Sequence, residues 1–599
     1  MKKLYTLVLT LISMSAFAQE TKQMQVLKWI QTDETLLSVE LEKVANSIIT
    51  RFNQSKIAQI SSNKIPSNLP PNYLLEMKPS TSAAEGFAFR KVVDSTQTIW
   101  FDYTAISRSS VGLLVTNISN GTLHSNYNLN GEASVDQEFT LRFQDLGWNK
   151  GTAMTDSLKK QITSKAKILL GSKFGPVRAK AFDAMLVNIG VYAANLPFQI
   201  FPFRMPFKEV LTTKKDRAVL VAISGLIELG FPLERGVVIY EILERKVDGI
   251  TYEQAKYLGT AIHQINKKTK AAEFEVSKGG EEILSALNSG KQLWYAPFSP
   301  FVKNKYPDAR PGIALQMAAA DLTPRQWSDL YYKLRVSSLA VRGGYNPIVD
   351  RGKNALIQKE REIQKGDAYI DKANIEQFKA VGAGYIIDIQ FISFKDVFDQ
   401  STHIFRFEVK YVIRLIQVET SEVLAEVSST FDQSWSHPMA AFSDRKDAQE
   451  YMQMSAAGNN YKPVLRTIGL NYLSFNLREV FNRALPLKID VLEIIEEKKD
   501  KAERILVAGN FNAKVKDDDY YICRKKLTQV GGEELIRIEQ IGVGDIDGTV
   551  GTGMAIIKLK KGEKEVFQAM KAGEKLYCFD KPEWFIDGQY TQQLKRAGF

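Results

Sequence analysis

Apolar positions in the second half of the chain switch between helical and strand spacing. Thr323-Pro-Arg-Gln326 has the shape of a capping box with Pro in the first turn. Beyond it Trp327, Leu330, Tyr331, Leu334 and Leu339 share one helical face, and Gly343-Gly344 ends the helix. Asn346-Pro-Ile-Val-Asp350 reads as a short strand, followed by a charged helix around Leu356 and Ile363. A shorter helix holds Ile375 and Phe378 and stops at Gly382. Strand-like runs follow at 385–394, 404–418 and 423–431, then a long helix near 464–483 and a strand at 487–495 that completes an α/β layer. From Arg504 short strands are divided by Gly and Asp turns, the pattern of a small β-barrel.

The pattern is used twice. Val276 to Trp294 returns without gaps 283 positions later as Leu559 to Tyr577. Lys278, Gly279, Glu282, Ala286, Gly290 and Leu293 meet the same residue types at Lys561, Gly562, Glu565, Ala569, Gly573 and Leu576. The register extends back through Gly259/Gly542 and Ile239/Ile522, and Leu220-Val-Ala222 answers Leu506-Val-Ala508. The expected fold class is α/β (α+β), with two tandem modules, each an α/β sandwich followed by a small SH3-like β-barrel. The α/β domains are expected at 19–216 and 300–500 and the barrels at 217–299 and 501–599, after a signal peptide at 1–18.

That signal peptide rests on Lys2-Lys3, the apolar stretch from Leu4 to Met14, and Ala16-Phe17-Ala18. No Cys lies near the site, so the mature chain is expected to be exported without a lipid anchor, in the periplasm and at most associated with the outer membrane. The uncharged stretch 184–203 is interrupted by Pro197 and Pro202 and falls short of the roughly 20 residues a helical span needs. It reads as a buried helix followed by a strand.

The formal net charge is +11, but its basic residues alternate with acidic ones, as in 496–504, with no basic stripe. Nucleic acid is not expected as a partner, nor is a small-molecule substrate. The two cysteines, Cys523 and Cys578, fall in the second small domain, where the first has Tyr240 and Tyr295. The paired replacement suggests touching side chains, and in an oxidising compartment a disulfide is expected, worth roughly 4 kcal/mol.

Tyr345-Asn-Pro-Ile-Val-Asp-Arg351, Leu356, Gln358-Lys-Glu360, Gly366 and Phe378-Lys-Ala-Val-Gly-Ala-Gly-Tyr-Ile-Ile387 together resemble the curli assembly/transport component (CsgG) family. The structural motif residues are Val349, Asp350, Arg351, Gly366, Gly382, Ala383, Gly384 and Tyr385. Residues 412–424 are similar to the family's "lRlidvkTGevl" hairpin, and in the first module 111–123 keeps that hairpin. Gly384 stands where the family has Asp, and Ser421 where it has a turn Gly. The layer-plus-barrel arrangement also resembles domains of the flagellar outer-ring protein FlgT, the N-terminus of TolB and activators of penicillin-binding proteins. The resemblance implies action by assembly and contact. The partners it implies are other envelope proteins, the chain itself as an oligomer, and peptidoglycan or the outer-membrane surface.

The family's secretion pore needs membrane hairpins of about 9–11 alternating residues per strand. Residues 395–403 are too short and polar for one. Residues 127–143 do alternate, but their other positions are polar, as in a half-buried sheet.

Candidate chemistry is thin. His124, His263, His403 and His437 have no ligand spacing. Asp350 and Arg351 point to opposite faces of a strand, which favours a role in fold and turn over acid–base work. Asp517-Asp-Asp519 lacks EF-hand spacing, and the glycines at 542, 544, 548, 551 and 553 open no helix, so they are barrel turns rather than a phosphate loop. A glycan-binding surface would rest only on exposed aromatics such as Trp100, Trp148 and Trp435. The expectation is a non-enzyme without cofactor or metal: a periplasmic scaffold or activator, with a ring-forming secretion subunit as the alternative.

Overall fold

A computed structural model describes residues 25–30, 39–61, 71–118, 121–149, 153–223, 225–226, 228–232, 236–247, 250–265, 272–302, 312–319, 322, 324–342, 346–350, 383–399, 404–434, 462–508, 519–549, 554–579, 585–596 and 599. The signal segment, Arg351, Gly366, Gly382 and the helices expected around Leu356 and Phe378 lie outside them. The fold is α+β.

β1 (Gln25–Ile30), α1 (Val39–Phe52), β2 (Ala58–Ser61), β3 (Tyr73–Val93), β4 (Thr98–Asn117) and β5 (Leu123–Arg142) come first, and their strands form a sheet of order β2-β1-β3-β4-β5. β1 is parallel to β2 and β3, and the other pairs are antiparallel. After the short α2 (Phe143–Leu146), α3 (Asp156–Ala193) runs for 38 residues over the same face as α1. Thr155 caps it by accepting from the Leu158 amide. Ile162, Ala166, Leu170, Phe174, Val177, Ala181, Met185 and Ile189 recur every three or four residues and are buried on the sheet. α3 and the short α4 (Leu196–Ile200) contain most of the uncharged stretch, which buries Met185, Ile189, Ala193, Leu196 and Phe198 in the core, leaves Val187, Val191 and Tyr192 exposed, and is followed by strand β6 (Met205–Pro206). No helix among the described residues is long and apolar enough to cross a membrane.

β6 is joined by β7 (Glu209–Lys214), β8 (Arg217–Ala222), β9 (Gly236–Val247), β10 (Ile250–Ile265) and β11 (Ala272–Lys278), then α5 (Gly280–Asn288) and β12 (Leu293–Pro297). They form a seven-stranded sheet of order β6-β12-β9-β10-β11-β8-β7. β13 (Gly312–Ala319), α6 (Pro324–Arg342), β14 (Ile348–Val349), β15 (Ala383–Asp399), β16 (Ile404–Gln417), β17 (Val423–Ser434) and α7 (Lys462–Ala484) follow. Their sheet, β14-β13-β15-β16-β17, has the strand order and directions of the first. β18 (Ile489–Glu497), β19 (Ala502–Ala508), β20 (Tyr520–Val530), β21 (Glu533–Thr549), β22 (Met554–Lys561) and β23 (Leu576–Phe579) close a barrel, with α8 (Glu563–Lys571) before β23 and α9 (Thr591–Arg596) after it.

The 283-residue offset holds in the hydrogen-bond register. Ile239 faces Tyr295 and Tyr240 faces Trp294, as Ile522 faces Cys578 and Cys523 faces Tyr577. Gly279 and Gly562 both have φ of 78°, and a Cβ there would lie 1.7 Å from the Leu258 carbonyl oxygen and 2.0 Å from that of Ile541. No other residue fits the turn into α5 or α8 without shifting backbone.

Two expectations change. The strand at 487–495 does not complete the α/β layer: as β18 it pairs with both β19 and β23 and belongs to the barrel. The first small domain is not closed among the described residues, because β6 and β7 do not pair with each other.

Candidate functional site: a buried ionic clasp between the two α/β layers

α6 of the second layer lies against the first sheet, and Leu114 and Leu123 share a core with Leu330, Leu334, Ile313 and Ile387. At this junction Arg335 bridges two carboxylates, Asp350 at 2.9 Å and Glu76 of β3 at 2.7 Å. All three side chains are at most 3% exposed. The Tyr331 hydroxyl donates to Asp350 at 2.9 Å, and the Arg335 guanidinium lies 4.9 Å from the Tyr331 ring centre. Burial works against the charge of Arg335, but Asp350 and Glu76 outweigh it and hold the guanidinium protonated above its ordinary range. Lys78 reaches across to donate to the Ser328 carbonyl at 3.2 Å and sits 4.7 Å above the Tyr332 ring. Gly112 lies beneath that ring, and a Cβ there would be 2.5 Å from the Tyr332 hydroxyl.

Backbone contacts extend the joint. The Asp350 amide donates to the Gly121 carbonyl at 2.7 Å, and Thr122 bridges to Val349. Val349 and Asp350 of the family-like motif therefore sit where the layers meet. Both carboxylates are committed to one guanidinium, an arrangement that fixes one layer on the other.

Ala383, Gly384 and Tyr385 open β15. Gly384 is an extra residue in the register, since Gly312 faces Ala383 and Ile313 faces Tyr385. The apolar periodicity of α6 passed over Arg335, although an arginine four residues after Tyr331 on an apolar face was a signal. The second signal was Glu76 inside Tyr73-Leu-Leu-Glu-Met77.

Cys523 and Cys578 do not form the expected disulfide. Because Ile522 pairs with Cys578, Cys523 is displaced by one residue and points to the opposite face of the sheet. Cys578 packs inside the barrel with Ile522 and Leu559, while Cys523 packs outside with Ile536, Tyr577 and Phe585. Burial raises the Cys523 thiol well above its usual range.

Other candidates are absorbed by packing. His124 lies against Tyr73 and Phe201 with Nε2 3.0 Å from the Ile200 carbonyl, and His263 lies edge-on to Phe274. Burial lowers the His263 pKa. Asp519, the one described carboxylate of the Asp517-Asp-Asp519 run, pairs with Lys560 at 3.0 Å, which also meets Asp545 at 2.6 Å. Trp148 is a core residue against Phe143, and Trp100 is half-buried with Lys91 4.7 Å from its ring centre. His403, His437, Asp517 and Trp435 lie outside the described residues.

No family model matches the chain, and no curated protein does. Among solved structures, the PelC dodecamer from Paraburkholderia phytofirmans is similar at 12% identity and a TM-score of 0.15, over 22% of this chain and 76% of that one. Lipoprotein GNA1162 from Neisseria meningitidis is similar at 12% identity and 0.16, over 24% and 96%. The hypothetical protein CT253 from Chlamydia trachomatis is similar at 8% and 0.19, over 28% and 97%. At these identities and scores the likenesses bear on neither family nor function.

Proposed function

We propose that the chain is a non-enzymatic exported envelope protein, a periplasmic scaffold or assembly factor for an outer-membrane or cell-wall machine. It is built from two tandem modules, each a curli-assembly-like α/β sandwich followed by a small β domain, which in the second module closes as an SH3-like barrel. The observation that carries this reading is the clasp, in which deeply buried charges join one layer to the next. A multi-layer body that presents sheet edges and barrel surfaces suits a protein that works by contact. The reading as a membrane ring fits β3–β5 poorly. Their outer face carries the polar pairs Arg108–Glu132, Thr104–Asp136 and Arg90–Glu138, while α3 covers the other face, so neither is suited to lipid. The test is extraction of envelopes with and without detergent, followed by native mass and in-cell cross-linking. Release without detergent, with a reproducible cross-link to a cell-wall or outer-membrane assembly protein, supports the proposal. A detergent-dependent particle of many subunits overturns it.

A further inference from the structure

Acidic and basic residues alternate along much of the chain, but not on α3. From Ser157 to Phe182 that helix carries seven basic residues and no acid. Three of the seven are answered at the surface: Lys159 by Asp156 at 3.1 Å, Arg178 by Glu85 of β3 at 2.7 Å, and Lys167 by the same carboxylate at 4.0 Å. Lys160, Lys165, Lys173 and Lys180 are exposed and have no acidic partner among the described residues.

These cations flank a crest of mostly small side chains. The row Ile162, Ala166, Leu170, Phe174 and Val177 is buried on the sheet. Opposite it stand Gln161, Ser164, Ile168, Ser172, Gly175 and Ala179, all exposed. Helical spacing places Lys160, Lys167 and Arg178 on one side of this crest and Lys165, Lys173 and Lys180 on the other, along about 30 Å of helix. The crest is open: a Cβ at Gly171 or Gly175 would meet nothing within 4 Å outside the helix backbone. Its small side chains let the long lysine stems on both sides reach past it. Ile168 is the one large apolar side chain on the crest and is 82% exposed, with Leu169 beside it at 47%.

We propose that this face of α3 lies on an anionic phospholipid bilayer, with its two rows of cations among the headgroups and Ile168 set between them. The proposal rests on the envelope reading above and names the surface that is met. A second copy of the chain does not fit the face, because it would set cation against cation. A helix crest without a groove gives a folded partner little to grip, whereas a plane of phosphates meets both flanks at once. Two exposed apolar side chains bury too little to sink the helix into hydrocarbon, so the contact is chiefly electrostatic and weakens with salt.

The test uses the purified full chain with vesicles of phosphatidylglycerol and phosphatidylcholine in equal parts, and with vesicles of phosphatidylcholine alone. Co-sedimentation at low salt is expected with the mixed vesicles only, and is expected to be lost by about 0.5 M salt. Lys160→Gln, Lys165→Gln, Lys173→Gln and Lys180→Gln together should weaken it by about a hundredfold or more with the melting temperature unchanged. Lys214→Gln, Lys256→Gln, Lys558→Gln and Lys564→Gln remove the same charge from exposed positions in the small domains and should weaken it by no more than about threefold. Ile168→Cys carrying an environment-sensitive fluorophore supplies an independent reading. Its emission should shift to the blue on the mixed vesicles, while the same label on Ser134→Cys, on the sheet face turned away from α3, should not shift. The buried native thiols leave the labelling clean. A wild-type chain that stays unbound at about 1 mM anionic lipid overturns the proposal. So does binding that the four α3 changes leave intact, and so does a shift at position 134 in place of 168. Binding to poly-glutamate but not to vesicles also overturns it, in favour of an acidic protein. None of these outcomes touches the scaffold reading, which falls instead on a detergent-dependent particle, whereas the lipid contact releases with salt alone.

Discussion

Glu76 and Asp388 occupy the same place in the two α/β layers. Tyr73-Leu-Leu-Glu-Met77 and Tyr385-Ile-Ile-Asp-Ile389 begin the third strand in sequence of each sheet, with Leu27 facing Tyr73 and Ile313 facing Tyr385. Both acids are buried, Glu76 at 1% exposure and Asp388 at 6%. Glu76 has Arg335 of the neighbouring layer at 2.7 Å, whereas the guanidinium of Arg414 stays 4.0 Å from Asp388 and 2.6 Å from Glu426. Burial accordingly pushes the Asp388 carboxyl up to about 6, with Arg414 pulling the other way. One position shared by the two sheets thus holds an interlayer ion pair in one half and an acid raised to about 6 in the other. The neighbour, not the strand, decides which.

Removing the neighbour is the hardest blow to that contrast. Arg335→Leu leaves Glu76 and Asp350 buried without their cation and is expected to lower stability by about 3–5 kcal/mol in denaturant titration. Replacing all three by Glu76→Leu, Arg335→Met and Asp350→Leu should recover most of it, because well-packed apolar groups often equal a buried ion network. A loss below about 1 kcal/mol for Arg335→Leu would mean that the layers are held by apolar packing alone.

The Asp388 side of the contrast appears in pH dependence. Its folded pKa lies above the ordinary 3.8. The group therefore contributes fully below about pH 4, and its contribution is lost as pH rises through 6, for a total of about 3 kcal/mol at two units of difference. Thermal unfolding from pH 4 to pH 8 should show that decline in wild type and a flatter profile in Asp388→Asn. Equal slopes in the two proteins would place the titration elsewhere.

The small domains give a second contrast, milder in energy. In the closed barrel Asp490 faces Ala508 on one side and Tyr577 on the other. In the first half those partners are divided, Pro206 facing Trp294 and Glu209 facing Ala222, with Phe207 turned into the core between them. The first small domain consequently shares one apolar cluster with its α/β layer, whereas the second keeps its own. The glycine turn before the helix is common to both, so Gly279→Ala and Gly562→Ala should each cost about 2 kcal/mol from left-handed strain and the close carbonyl. Unequal losses in denaturant titration would show that the shared core lets one copy yield where the other cannot.

What the sequence revealed follows from where it constrains backbone. The 283-residue repeat was legible because glycines at fixed turns and alternating strands admit few substitutes. The hairpin strands and α7 fell within a few residues of their observed bounds for the same reason. Arg335 was missed because apolar periodicity sorts residues by solubility, and a buried cation is defined by acids elsewhere in the chain. β18 was assigned to the wrong layer because an apolar strand carries no mark of the sheet it will join.

The cysteines show the same limit at one-residue scale, and they give the smallest expected effect. Tyr240 and Tyr295 exchange jointly for Cys523 and Cys578, which suggests contact. The antiparallel register instead pairs Ile239 with Tyr295 and Ile522 with Cys578, so in both halves the two side chains stand on opposite faces. A disulfide would need one strand to slip by a residue, which would turn its core side chains to the other face. Reductant should therefore leave the melting temperature unchanged, against the roughly 4 kcal/mol that a closed loop of this length would contribute. Intact mass of envelope-purified protein should likewise show two thiols. A mass two hydrogens lighter, with a melting temperature that falls on reduction, would mean that the strand register differs from the one that both copies share.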